Sequence, residues 1–153
     1  MTFQILNTKV IFQARKYGSS GSGEEVIEWL TFNKNEINIG DGFIGSVAFT
    51  HFGWDHVAGV FVVPIDGIYK MTFSGQSATS RRTKQDIVQG IRVYKGRQFL
   101  RIILDSNEGT VSFSSTWMMK LVKGDEIRIW SNNYLWVNTN TPLIFTGELI
   151  HTD

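Results

Sequence analysis

Short runs rich in Val, Ile, Phe, Tyr, Trp and Thr recur along the chain between clusters of Gly, Asn, Asp and Ser, and helical periodicity is hard to find. This spacing predicts an all-β fold built from many short strands. The candidate strands are Lys9 to Ala14, Val26 to Phe32, Glu36 to Ile39, Gly45 to His51, Gly59 to Val63, Gly67 to Gly75, Ile87 to Tyr94, Arg97 to Leu104, Thr110 to Leu121, Glu126 to Ser131, Leu135 to Asn138 and Leu143 to His151. With only two prolines, Pro64 and Pro142, the strands are free to pair, and strands of this number and length pack as a sandwich. Alternation is clean where Val111 and Phe113 point inward between Thr110, Ser112 and Ser114. At Met118 and Met119 it breaks, which predicts a bulge or a strand covered on both faces by a neighbouring subunit.

Length and charge narrow the function. A chain of 153 residues fits one domain over residues 1–153, long enough to bury about 70% of the surface of its unfolded form. It has no cysteine, which removes disulfides, thiolate catalysis and Cys-ligated zinc. A net charge of +1 supplies no global field for nucleic acid or an anionic membrane. No window approaches a membrane span, so no membrane insertion is expected, and Met1 to Ile5 has the character of no secretion signal. Tyr17 to Glu25 (YGSSGSGEE) is low in complexity and is expected to be a flexible loop of the same domain.

Phe12 and Ala14 stand in a first strand, and Phe32, Asn38, Gly40 and Phe43 follow with the spacing F-x5-N-x-G-x2-[YF]. Gly59, Phe61, Pro64, Gly67 and Tyr69 then spell G-x-F-x2-P-x2-G-x-Y. Tyr94-Lys95-Gly96, Leu121-x2-Gly124-Asp125-x-Ile127 and Phe145-x-Gly147-x-Leu149-Ile150 complete the order. Across nearly its whole length the chain thus resembles the globular heads of the C1q/TNF-like superfamily. The resemblance implies a jelly-roll β-sandwich of about ten strands, a tight homotrimer and a non-catalytic binding role. Each matched residue also has a physical reason. Gly67 and Gly124 suit turns or close backbone approach, Asp125 can bond its own turn, Pro64 sits at a strand end, and Phe61, Tyr69 and Phe145 supply core area. These positions specify architecture and say little about ligand.

The chain departs from the family between Phe43 and Gly59, where residues 44–58 (IGSVAFTHFGWDHVA) are longer by about ten. Such an insertion serves either as an extra strand or clasp packed on the sandwich or trimer seam, or as a ligand contact through Trp54, Asp55 and His56. A second aromatic and amide set, Asn132 to Trp136, falls in an expected loop. There Asn133, Tyr134 and Trp136 either stack on a ligand or, for Trp136, pack beneath the loop. Arg81 and Arg82, with Lys84, form a basic run that meets an anionic glycan or is merely solvated.

Other motifs point to little chemistry. Gly40 to Gly45 is formally G-x-G-x-x-G, but a strand pattern follows where a nucleotide site needs a helix, so it reads as a turn. His51, His56 and His151 lack a zinc spacing, and a separation of five on one strand would put the first two on opposite faces. Asp55 and His56, as neighbours on a strand, make no dyad, and no nucleophile elbow accompanies them. Asp105 to Gly109 carries oxygens of the kind calcium prefers, enough for an ion only if a threefold axis joins copies; no other cofactor is implied. The expectation is therefore a non-enzymatic, trimeric recognition or adhesion module that binds a glycan or protein ligand, of the lectin-like, innate-recognition type. Its setting would be extracellular or the surface of a virion, as a viral or phage knob; a TNF-like ligand is the weaker alternative.

Overall fold

The computed structural model describes residues 9–77, 91–104 and 112–152. It contains strands β1 (Ile11–Lys16), β2 (Glu24–Trp29), β3 (Lys34–Ile39), β4 (Phe43–His51), β5 (Trp54–Val62), β6 (Gly67–Ser77), β7 (Ile91–Lys95), β8 (Gln98–Leu104), β9 (Ser112–Leu121), β10 (Glu126–Val137) and β11 (Leu143–Thr152). All their pairings are antiparallel. One layer runs β3-β1-β11-β6-β9. The other runs β4-β5-β10-β7-β8, with β2 continuing beside β10 where β5 leaves it. The layers join where the end of β10 meets β6, through Leu135 opposite Ser77 and Trp136 opposite Gln76. This is the double-sheet arrangement of a jelly roll.

The core between the layers centres on Phe12, whose ring lies 4.4 Å from Phe61, 5.3 Å from Phe43 and 5.0 Å from Phe145. Fully buried Tyr69 donates its hydroxyl to the Ile65 carbonyl at 2.7 Å, so its polar end is satisfied. Gly147 keeps the floor of this core clear, since a Cβ there would lie 2.4 Å from a Phe12 ring carbon and 2.7 Å from the Met71 sulfur. Gly124, at φ +93°, turns the chain into β10, and the Asp125 carboxylate accepts from the Val122 amide at 2.9 Å across that turn. Asn38 clamps the turn before β4, donating to the Phe43 carbonyl at 3.0 Å and accepting from its amide at 3.1 Å.

Two sequence expectations change. No bulge occurs at Met118 and Met119: β9 pairs with β6 in unbroken register from Leu121 opposite Gly67 to Ser112 opposite Gln76. Trp117 and Leu121 point inward, and Met118 simply takes an outward position, 66% exposed. The expected loop around Asn132 to Tyr134 is strand, because β10 runs on to Val137 with a register shift between Ser131 and Leu135. The Tyr17 to Glu25 stretch makes backbone hydrogen bonds, the Gly18 amide donating to the Asn138 carbonyl at 2.9 Å and the Thr139 amide to the Ser20 carbonyl at 3.2 Å, and β2 begins at Glu24.

Register also fixes what the first layer presents outward. Ile39, Ile11, Glu148, Lys70 and Met118 form one cross-strand row, and Ile37, Gln13, Thr146, Thr72 and Thr116 form the next. The first row has one internal ion pair, Lys70 to Glu148 at 3.9 Å, and is otherwise apolar.

Candidate functional site

The chain between Phe43 and Gly59 forms a long hairpin. Phe52 (φ 51°) and Gly53 (φ 85°) make the two-residue turn, the left-handed geometry that matches strand twist. The resulting register sets His51 opposite Trp54 and Phe49 opposite His56. Cross-strand partners share a face, so Phe49, His51, Trp54 and His56 all lie on one side. The expectation that His51 and His56 face apart is therefore overturned, because the turn resets the parity that a single strand would keep. Asp55 lies on the other side, accepting from the Thr50 hydroxyl at 2.8 Å, so it makes no dyad with His56.

The shared face packs on the outside of the β2-β10-β7 layer. Trp29 of β2 is the hub, 4.9 Å from Phe49, 5.0 Å from His51, 5.0 Å from Tyr94 and 6.0 Å from His56. Arg128 of β10 lies under the hairpin with its guanidinium 4.2 Å from the Phe49 ring and 2.9 Å from the Glu126 carboxylate, and is only 3% exposed. Beside it Arg92 stacks between Trp130 and Phe99, at 5.1 and 5.4 Å, and donates to the Tyr94 hydroxyl at 3.3 Å. Ala58 and Val60 are buried on this side and belong to no part of the main core.

Between the hairpin tip and the layer a groove of ≈ 370 Å³ opens, within the roughly 300–1,000 Å³ usual for ligand sites. Trp29, Tyr94 and Trp130 line it from the layer, and Phe52 and Trp54 from the tip, 70% and 73% exposed. Its buried polar group is His51, 8% exposed, whose Nδ1 has no hydrogen-bond partner. Burial above all, then the charges of His56, Arg97 and Arg128, hold this imidazole below the ordinary histidine range. The arrangement gives an aromatic trough with a buried imidazole packed in its wall, a surface for stacking.

Of the residues picked out in sequence, Trp54 and His56 therefore meet in the groove, whereas Asp55 faces away. Asn133, Tyr134 and Trp136 stand further along β10, Trp136 about 20 Å from Trp130 at strand rise. Trp136 packs beneath the Tyr17 to Glu25 segment: a Cβ on Gly23 would lie 2.0 Å from its ring. Arg81, Arg82 and Lys84, and the Asp105 to Gly109 run considered for calcium, lie outside the described residues. Sequence reasoning passed over Trp29, Tyr94 and Trp130 as site residues and took in Phe52 only as part of the 44–58 stretch. The signal that locates Phe52 was present, since Phe52-Gly53 between two alternating runs is a hairpin turn.

No protein-family model matches the sequence, nor does any curated protein. Solved structures do. The globular domain of zebrafish complement 1qA protein superposes with a TM-score of 0.56 at 17% identity, over 94% of this chain and 99% of that one. Murine APRIL superposes with a TM-score of 0.53 at 16% identity, over 94% of this chain and 100% of that one. At these identities the likeness is one of fold, and the chain has the C1q/TNF-like jelly-roll fold.

Proposed function

We propose that the protein is a non-enzymatic recognition module that works as a homotrimer, with one aromatic groove per subunit giving avidity for a glycan or protein ligand. The observation that carries the reading is the groove itself: the five rings of Trp29, Phe52, Trp54, Tyr94 and Trp130 beside the buried His51 imidazole, on the β4–β5 hairpin of a C1q/TNF-like sandwich. The trimer is supported by the surface of the sandwich. Among the described residues β8 and β9 are both edge strands, and the seam between them is a cleft of ≈ 420 Å³ lined by Leu100, Trp117, Met118 and Met119 together with Lys95, Arg101 and Lys120. Two strand edges flanking a cleft that mixes apolar and basic side chains offer a place for a second copy to pack. The row Ile39, Ile11, Glu148, Lys70 and Met118 on the adjoining face, with its two charges paired to each other, offers a surface for a second copy to meet. The setting proposed is extracellular, on a secreted recognition protein or on a particle surface; among the described residues no helix is long and apolar enough to cross a membrane.

The test is the intact protein on an array printed with neutral glycans, charged glycans and peptides at graded densities. A trivalent module gives signal that climbs steeply with density and is lost in Trp54→Ala. Blank features at every density contradict the reading.

A further inference from the structure

Only the base of the β4–β5 hairpin is tied to the sheet by hydrogen bonds. β5 pairs with β10 through Val62 and Phe61, and the Gly59 amide donates to the Leu30 carbonyl at 2.8 Å. Beyond that point, among the described residues, the hairpin pairs only with itself, and its Thr50 to Asp55 hydrogen bond is internal. A two-stranded ribbon is marginal in water by itself. Ring packing fastens it: Phe49, His51 and His56 rest on Trp29, His51 on Tyr94, and Phe49 on Arg128. We infer that His51 makes this hairpin an acid-released flap, closed at neutral pH and lifted off the layer when the imidazole takes a proton. Because Phe52 and Trp54 line the groove from the flap and Trp29, Tyr94 and Trp130 from the layer, lifting takes the groove apart. Resting on the recognition reading above, bound ligand is then let go.

The imidazole sits at the centre of the packing, with the rings of Trp29, Phe52 and Tyr94 at 5.0, 4.2 and 5.4 Å and Nδ1 buried without a partner. A neutral imidazole can leave that nitrogen as an idle acceptor, whereas the cation carries an N–H on both nitrogens and nothing receives the one at Nδ1. Burial opposes the charge first; His56 of β5, Arg97 of the β7–β8 turn and Arg128 of β10 then add like charge. Arg92 of β7 stacks on Trp130 and donates to the Tyr94 hydroxyl, a further cation on the same layer. The nearby carboxylates are placed otherwise. Glu126 of β10 is paired with Arg128 at 2.9 Å, Glu28 of β2 is exposed, and Asp55 faces the other side of the hairpin. Opening gives up the ring contacts and hydrates the imidazolium. The closed flap is therefore favoured above the solvated value of 6.5 and weakens as pH falls from there through the lower closed-state value.

The experiment is hydrogen exchange by mass spectrometry on the full chain at pH 7.5 and pH 5.0, corrected for intrinsic rate, with β6 and β11 as reference. The expected result is a loss of protection of at least about threefold in residues 44–58 on acidification, with the reference strands unmoved. His51→Phe keeps a ring and removes the proton site, so its hairpin should stay protected at pH 5.0. Val57→Thr, exposed on the opposite face, should respond to acid as wild type does. If His51→Phe does not fold, an NMR titration of wild-type His51 replaces it, and its imidazole should titrate in step with the loss of protection. Unchanged protection in 44–58, a loss shared equally by β6 and β11, the same loss in His51→Phe, or a titration out of step overturns the inference. Release is read separately on the printed array. A feature bound at pH 7.5 should lose at least about threefold of its signal at pH 5.0 in wild type and keep it in His51→Phe. Binding that ignores pH while the hairpin opens overturns the release. A blank array at every density removes the recognition reading, and the flap is still decided by exchange.

Discussion

His51 shows how one side chain ties local geometry to a solution property. Its folded pKa is below the ordinary value of 6.5, chiefly through burial and then through His56 on β5, Arg97 after β7 and Arg128 on β10; Tyr94 packs 5.4 Å from its ring. In the unfolded chain it takes up its proton near 6.5, earlier on acidification than in the folded one. Stability from this residue is therefore fully present above that pH and is lost as pH falls from it through the folded value. Urea denaturation at pH 7.5 and pH 5 should show wild type losing more stability on acidification than His51→Phe; equal losses would contradict the assignment. In the core the scale is larger. Phe61 and Phe145 are fully buried against Phe12, so truncating either to Ala should cost about 3–5 kcal/mol in the same assay. Near-wild-type midpoints for both would mean that the sandwich core lies elsewhere. These core residues were legible in sequence because their spacing repeats a fold requirement. Gly147 was legible for the same reason, its place being dictated by Phe12 and Met71 rather than by any ligand.

At the scale of elements, the hairpin β4–β5 has a packed side and a free tip, and mutations should separate them. Phe49 contacts Trp29 and Arg128, so Phe49→Ala should lower stability by about 2 kcal/mol and raise hydrogen exchange in the hairpin amides. Trp54 stands free, so Trp54→Ala should change stability by no more than about 0.5 kcal/mol. A large loss of stability in Trp54→Ala would show that the tip is a structural clasp. Part of this element was readable: the strand pattern Gly45 to His51 is realised within β4. The site was not, for two physical reasons. The shared face depends on the Phe52-Gly53 turn, which resets parity and so joins His51 to His56. Its other wall comes from Trp29, Tyr94 and Trp130 on three strands distant in sequence, brought together only by the pairing of β10 with β2 and β7. The Asn132 to Tyr134 stretch misled in the opposite direction, since polar amides within β10 look like a loop when the strand's irregular register is not visible.

For the whole molecule, fold and assembly rest on different kinds of argument. The jelly roll follows from alternation, turn residues and motif order, all local enough to be read from the chain. A trimer depends on which outer surfaces are left apolar. Met118 illustrates the difference: in sequence it looked like a break in alternation, and in the structure it is an outward residue at the open β8–β9 edge. If that edge is covered by a second copy, Met118→Lys should weaken assembly at least tenfold while leaving the far-ultraviolet spectrum of the subunit unchanged. Persistence of the assembled species at nanomolar concentration would place the interface elsewhere. The most direct test of the whole account is sedimentation equilibrium of the wild-type protein at micromolar concentration. A single species of about 52 kDa, three copies of the 17.4 kDa chain, is the predicted result, and a monomer throughout the concentration range would contradict it.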